Sequence, residues 1–183
     1  MSEELLVTHC SPTLAGLKTG SLFICEYSTE RELIGDLSRL NSVFVPKGLR
    51  IVTLRLHDGK ALLYLYRPQK LSQDLKNDVA KRLLVKNDYH CRNSDECVVK
   101  LRQRLKHSDE FPHEIGLFLG YPPEDVCGFI ENHAENFKLV GCWKVYGDVE
   151  KAKKTFAKYK KCTDVYKRQY KSGKSVERLT VAV

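Results

Sequence analysis

Four groups of side chains in the sequence have the types and spacing from which chemistry is built. The segment 112–131, PHEIGLFLGYPPEDVCGFIE, sets His113 beside Glu114, the residue types of a general base and the carboxylate that orients it. In an extended segment adjacent side chains point to opposite faces, so this pair reads better as the polar entrance to a buried strand. His9 and Cys10 are the types of an imidazole–thiolate couple. Catalytic partners are brought together by folding rather than by adjacency, and a small thiol beside a helix kink is ordinarily packing. His90, Cys91 and Cys97, with His107 beyond, have metal-binding types. Five residues separate the two cysteines and no second close pair follows, which departs from zinc ligand spacing. The fourth group is Lys151, Lys154, Lys158 and Lys161, whose steps of three and four bring them to one side of a helix. Such a row meets phosphates, an anionic membrane surface or an acidic protein, and Tyr159, Tyr166 and Tyr170 add rings able to stack on bases. A solvated lysine face is the plainer alternative.

These groups need elements to hold them. Residues 3–18 read as a helix broken at Pro12, and Gly20 releases the chain into a strand from Ser21 to Tyr27. In TERELIGDLSRL, Thr29 caps a helix with Glu30 and Glu32 in its first turn and Leu33, Ile34, Leu37 and Leu40 as its apolar stripe. LRIVTLRLHDGKALLYLY is a pair of β-rich runs about Asp58-Gly59, a strong hairpin signal. Residues 71–86 and 95–106 read as amphipathic helices. Ile115 to Tyr121 has the short apolar pattern of a buried central strand, and Pro122-Pro123-Glu124-Asp125 then opens a helix. Lys138 to Tyr146 reads as a last strand, after which Asp148 caps a helix striped by Val149, Ala152, Phe156 and Tyr159; another helix falls at 164–178. The prediction is an α/β fold with α+β character in a single domain over 1–183. It has a mixed sheet of about five strands, one pair a hairpin, covered by helices, and a basic helical C-terminal segment from about residue 148. Carboxylates already fill the helix starts at PPED and GDVE, so phosphate binding in the P-loop or Rossmann manner is disfavoured.

With 183 residues, 42% apolar and 30% charged, the chain can bury one full core and is too hydrophobic for a disordered protein. Its apolar runs fall far short of the roughly 20 residues of a membrane span. MSEELLVTH lacks the basic and apolar regions of a secretory signal, so a cytoplasmic location is expected. Seven scattered cysteines, an odd number, suit reduced thiols better than a disulfide framework. The net charge of +8 is local: residues 144–183 hold twelve Lys and Arg against four Asp and Glu, whereas the first 143 carry nineteen of each. A local excess of this kind makes a one-signed surface.

HEIGLFLGYPPEDVCGFIEN, GCWKVYGD with the lysine-rich AKYKKCT after it, the closing SVERLTVAV and the N-terminal THCSPTLAGLKTGSLF together resemble a bacterial family, domain of unknown function number three-seven-nine-three, found mainly in clostridia and their relatives. The likeness spans nearly the whole chain. It implies kinship without an activity, carries over no catalytic residues, and offers only an association, through genes lying near flavodoxin or iron-uptake genes. Residues 164–169, DVYKRQ, read like one translation frame of a transposon end used in preparing sequencing libraries; on that reading Asp164, Lys167 and Arg168 contribute a spurious net +1, an excess of +7 remains, and Tyr166 carries little weight. The expected function is a non-enzymatic binding or accessory protein without a cofactor. Its Lys151, Lys154, Lys158 and Lys161 would contact an acidic protein, a flavodoxin-like one being a candidate, in preference to nucleic acid. Two alternatives remain: a small thiol- or imidazole-dependent enzyme using His9, Cys10 and His113, and metal or haem binding through His90, Cys91 and Cys97.

Overall fold

Three strands, β1 (Gly20–Glu26), β2 (Arg50–His57) and β3 (Lys60–Tyr66), lie in the order β1-β3-β2 with both pairings antiparallel. This computed structural model describes residues 2–107 and 111–182. Asp58 and Gly59 both take positive φ, 46° and 70°, as the tight turn of a right-twisted hairpin requires. Leu63 and Leu65 point to one face of the sheet and Tyr64 and Tyr66 to the other, and all four are buried. Because both faces are covered, KALLYLY reads as an almost continuous apolar run instead of an alternating one.

The chain's two ends cover one face. Helices α1 (Glu3–Leu14) and α2 (Glu30–Phe44) pack Leu6, Val7, Leu14, Leu33 and Phe44 against Phe23, Ile51 and Leu63. The middle of the chain covers the other face, with α3 (Pro68–Asp74), α4 (Asp78–Lys86), α5 (Ser94–His107), α6 (Ile115–Phe118) and α7 (Pro123–Glu131) closing over Leu54, Tyr64 and Tyr66. Strands β4 (Leu139–Val140) and β5 (Lys144–Val145) form a second small antiparallel hairpin. Helix α8 (Val149–Lys171) then returns along α1, and α9 (Val176–Leu179) completes the first face with Val176 and Leu179.

The α/β class, the helix cover and the Asp58-Gly59 hairpin are as the sequence indicates, but the five strands divide between two antiparallel sheets. Ile115 to Tyr121 is no central strand: it forms the single turn α6 and a reversal at Gly120, φ 72°. Ile115, Gly116, Leu117 and Phe118 are all buried, so the run lacks a period that could separate strand from helix. A Cβ on Gly116 would lie 2.8 Å from Val126, a closeness that seats α6 on α7. The Tyr64 hydroxyl donates to the Phe118 carbonyl at 2.5 Å, fixing α6 on the sheet's face and not at its edge. The predicted strand 138–146 folds back on itself at Gly141, which leaves two strands of two residues each. The predicted helix 71–86 is two helices, because the Asn77 side chain accepts from the Val79 and Ala80 N–H groups and starts a new one. Helix α1 runs past Pro12 to Leu14 instead of breaking there, and the Pro12 carbonyl accepts from Leu17 and Lys18 at 2.8 and 3.0 Å. The two helices expected after Asp148 are one continuous α8 followed by the short α9.

Candidate functional site

The histidine and cysteine candidates are dispersed. His9 lies exposed on α1, parallel to the Phe23 ring at 6.3 Å, while Cys10 is buried in the core, where desolvation pushes its thiol far up. His113 is exposed and meets the edge of Phe129 at 5.1 Å. Its neighbour Glu114 turns inward to pair with Arg104 Nε at 2.8 Å and to accept the Tyr89 hydroxyl at 3.0 Å. The divergence expected of adjacent side chains therefore holds although the segment is a turn rather than a strand. His90 is exposed, and the Cys97 thiol, beside Cys91, is pushed up to about 12 by burial and by that neighbour. The His107 side chain falls outside the described residues, and among those described no three His, Cys, Asp or Glu side chains gather as metal ligands do.

The lysine row is assembled as the spacing indicates. At 1.5 Å per residue α8 extends roughly 35 Å, and Asp148 caps it by accepting the Lys151 N–H at 3.0 Å. Its inner stripe buries Ala152 and half-buries Phe156, Tyr159, Tyr166 and Tyr170. Tyr166 and Tyr170 pack on the core beneath α1, which removes them as an exposed stacking surface. The outer side carries nine exposed Lys and Arg against Glu150 and Asp164. Lys153 pairs with Glu150 at 2.8 Å, and the other eight have no ion pair among the described residues. The row also divides, for Lys151 and Lys158 border a cleft while Lys154 and Lys161 face outward.

That cleft, of about 620 Å3, lies between the α3–α4 junction, the turn into α7, the β4–β5 hairpin and the first half of α8. Its aromatic wall is Tyr121, Trp143 and Tyr159. Trp143 stacks on Tyr121 at 4.9 Å and meets Phe156 at right angles at 4.5 Å. Asp125 locks this arrangement: one carboxylate oxygen accepts the Trp143 indole N–H at 2.7 Å, and the other accepts the Tyr146 and Gly147 N–H groups at 2.8 and 2.7 Å. Gly141 makes room for the Phe156 ring, since a Cβ there would lie 2.1 Å from it. Across the cleft Asp74 accepts the Thr19 hydroxyl, and burial raises its carboxyl above the usual range.

Behind the wall, the Lys18 ammonium sits 5.4 Å from the centre of the Tyr121 ring. Burial lowers its pKa, and it has neither a hydrogen bond nor an ion pair among the described residues. Burial likewise pushes the Tyr121 and Tyr159 hydroxyls up to about 12. A cleft holding several groups displaced from their ordinary values is the physical mark of a functional site. What it offers is a flat wall, hydrogen-bonding groups and two cations, a set suited to holding a molecule. Lys18, Asp74, Tyr121, Trp143 and Tyr159 were not singled out as a group by sequence reasoning; the one available signal was the sole tryptophan beside a glycine turn.

Fold and site together define an α/β protein with a helix-covered antiparallel sheet, a ligand-sized cleft and a basic helix face. The family described as protein of unknown function (DUF3793) matches residues 6–180, and the chain belongs to it. No curated protein and no solved structure matches the chain. No helix among the described residues is long and apolar enough to cross a membrane.

Proposed function

We propose that the protein is a cytoplasmic, non-enzymatic binding module that docks an acidic protein along the outer face of α8. The observation that carries this is the row of exposed cations on that face, of which only Lys153 has an acidic partner among the described residues. Unpaired charges of one sign along a rigid rod raise the local potential and steer an oppositely charged surface into contact. A protein partner is favoured over nucleic acid because Tyr166 and Tyr170 face the core, so the outer face of the helix presents no stacking platform to bases. Lysines are compact point charges without the bidentate fork of arginine, which suits broad complementarity to carboxylates. The seven unpaired thiols accord with a reducing compartment.

The test is a titration against a flavodoxin, as a representative acidic protein, and against an RNA duplex, at low and moderate salt. Binding to the acidic protein that weakens with salt, and is abolished in the double variant K154E/K161E, supports the proposal. Failure to bind either at low salt removes it, and preference for RNA removes the protein partner.

A further inference from the structure

We propose that the cleft beside α8 binds a nucleoside monophosphate, with its heterocycle against the aromatic wall and its phosphate at Lys151 and Lys158. This site is independent of the docking surface, although those two lysines border both. Three walls of different chemistry face the cavity. At the α3–α4 junction Asp74 gives one oxygen to the Thr19 hydroxyl and keeps the other unpartnered among the described residues. Asn77 uses its carbonyl oxygen on the Val79 and Ala80 N–H groups, which leaves its amide nitrogen free to donate, and the Gln73 side chain has no hydrogen bond among the described residues. An acceptor beside amide donors matches the alternating edge of a nucleobase.

The second wall is Tyr121, Trp143 and Tyr159, rings that hold a flat base by stacking. Asp125 and Phe156 fix Trp143 beforehand, so little rotamer freedom remains to be lost on binding. The third wall is the α8 flank, where Lys151 and Lys158 have no acidic partner among the described residues. Two of the acids in the lining are already engaged by N–H donors. Asp125 is committed to three donors and Asp148 to the start of α8. Exposed Glu124 stands at the rim and disfavours a polyphosphate, which points to a single phosphate. A cavity of about 620 Å3 is in the range that holds small organic ligands. No glycine-rich loop is involved, so the exclusion of a P-loop or Rossmann mode does not bear on this site.

Trp143 is the only tryptophan in the chain and lines the cleft, which makes its fluorescence the direct readout. The full chain is titrated with adenosine and guanosine 5′-monophosphates, with adenosine and inorganic phosphate as separate arms. Excitation at the red edge of the indole band avoids base absorption, and calorimetry gives the affinities. The expected result is a saturable change with at least one monophosphate, binding about tenfold or more tighter than adenosine or phosphate, as a charge-assisted phosphate contact provides. K158Q should weaken the monophosphate about tenfold and leave adenosine unchanged, whereas D74N should weaken both by a similar factor. Asparagine at that position still accepts the Thr19 hydroxyl, and a melting curve confirms that each variant is folded. The proposal is overturned by the absence of a saturable response to either monophosphate. It is equally overturned by phosphate binding as tightly as the nucleotide, which indicates an adventitious ion only, or by folded K158Q and D74N binding unchanged.

Discussion

Arg67 offers the sharpest test of how the two ends of the chain are held. It precedes α3, is 2% exposed and has no carboxylate partner among the described residues. Its Nε donates to the Thr13 carbonyl at 2.8 Å, and its Nη2 donates to the Leu14 and Val181 carbonyls, both at 2.8 Å. A weaker contact of 3.4 Å runs from Nη1 to the Lys47 carbonyl. One planar group thus fastens the last turn of α1 and the C-terminal segment to the start of α3, with the negative end of α1 standing in for a counter-ion. In Arg67→Met three carbonyls lose charge-assisted donors, while Thr13 and Leu14 keep the Gly16 and Val181 N–H groups; hydrogen bonds to a charged group contribute about 1.5–3 kcal/mol each, a gross loss of about 4.5–9 kcal/mol. Removing a desolvated charge returns part of this, so the net loss should be about 3–5 kcal/mol. Arg67→Lys keeps the charge, but a point donor cannot reach carbonyls spread around a fork, and should lose about 2 kcal/mol. Equilibrium urea unfolding, read by circular dichroism and by Trp143 fluorescence, measures both. With a slope near 2 kcal/mol/M, the methionine variant should lower the midpoint by about 2 M at constant slope. A loss below about 1 kcal/mol would refute the reasoning, because the cost of burying the guanidinium would then equal everything its hydrogen bonds return.

Two further predictions follow from displaced titrations. Burial raises the Asp74 carboxyl above its ordinary 3.8, so the folded chain holds that proton more tightly than the unfolded one. Asp74 therefore costs stability progressively as pH climbs from 3.8 through its raised value, after which the penalty is constant. Asp74→Asn, which does not titrate, should gain on the natural protein across that window in urea unfolding at stepped pH; a pH-independent difference would contradict it. Cys10 is fully buried with its thiol pushed far up, whereas Cys142 is exposed. Ellman's reagent should modify Cys142 in the native protein and spare Cys10 until global unfolding. Rapid native modification of Cys10 would instead revive the imidazole–thiol enzyme.

Legibility in the sequence followed the range of the signal. The Asp58-Gly59 hairpin, the Thr29 cap, the PPED helix start and the Asp148 cap are decided by a few neighbouring residues, and each is found where the local chemistry puts it. The lysine row was legible for the same reason, since spacing within one helix fixes which side chains share a side. Ile115 to Tyr121 failed because what decides it is distant: Tyr64 donates to Phe118, and Val126 and Tyr121 close around Gly116. A short apolar run whose residues are all buried contains no internal information about its own period. The fold-back within 138–146 likewise depends on the Phe156 ring, fifteen residues on from Gly141, occupying the space a Cβ would take.

The cleft was unreadable for a related and stronger reason. Asp74 ends one helix, Tyr121 follows a turn, Trp143 sits in a hairpin, and Lys158 belongs to a surface row. Each has a sufficient local explanation, and no spacing rule connects them. What brings them together is Asp125, which as a letter in the sequence is only an acid in the first turn of a helix. In the fold its two oxygens hold the indole of Trp143 and the backbone just before α8, so one carboxylate sets the aromatic wall and the cationic wall relative to each other. The helix dipole accounts for an acid at that position, but not for its burial, and a buried carboxylate persists only where donors compensate it. Three donors from a hairpin some twenty residues away are that compensation, and the cleft is the space they leave open.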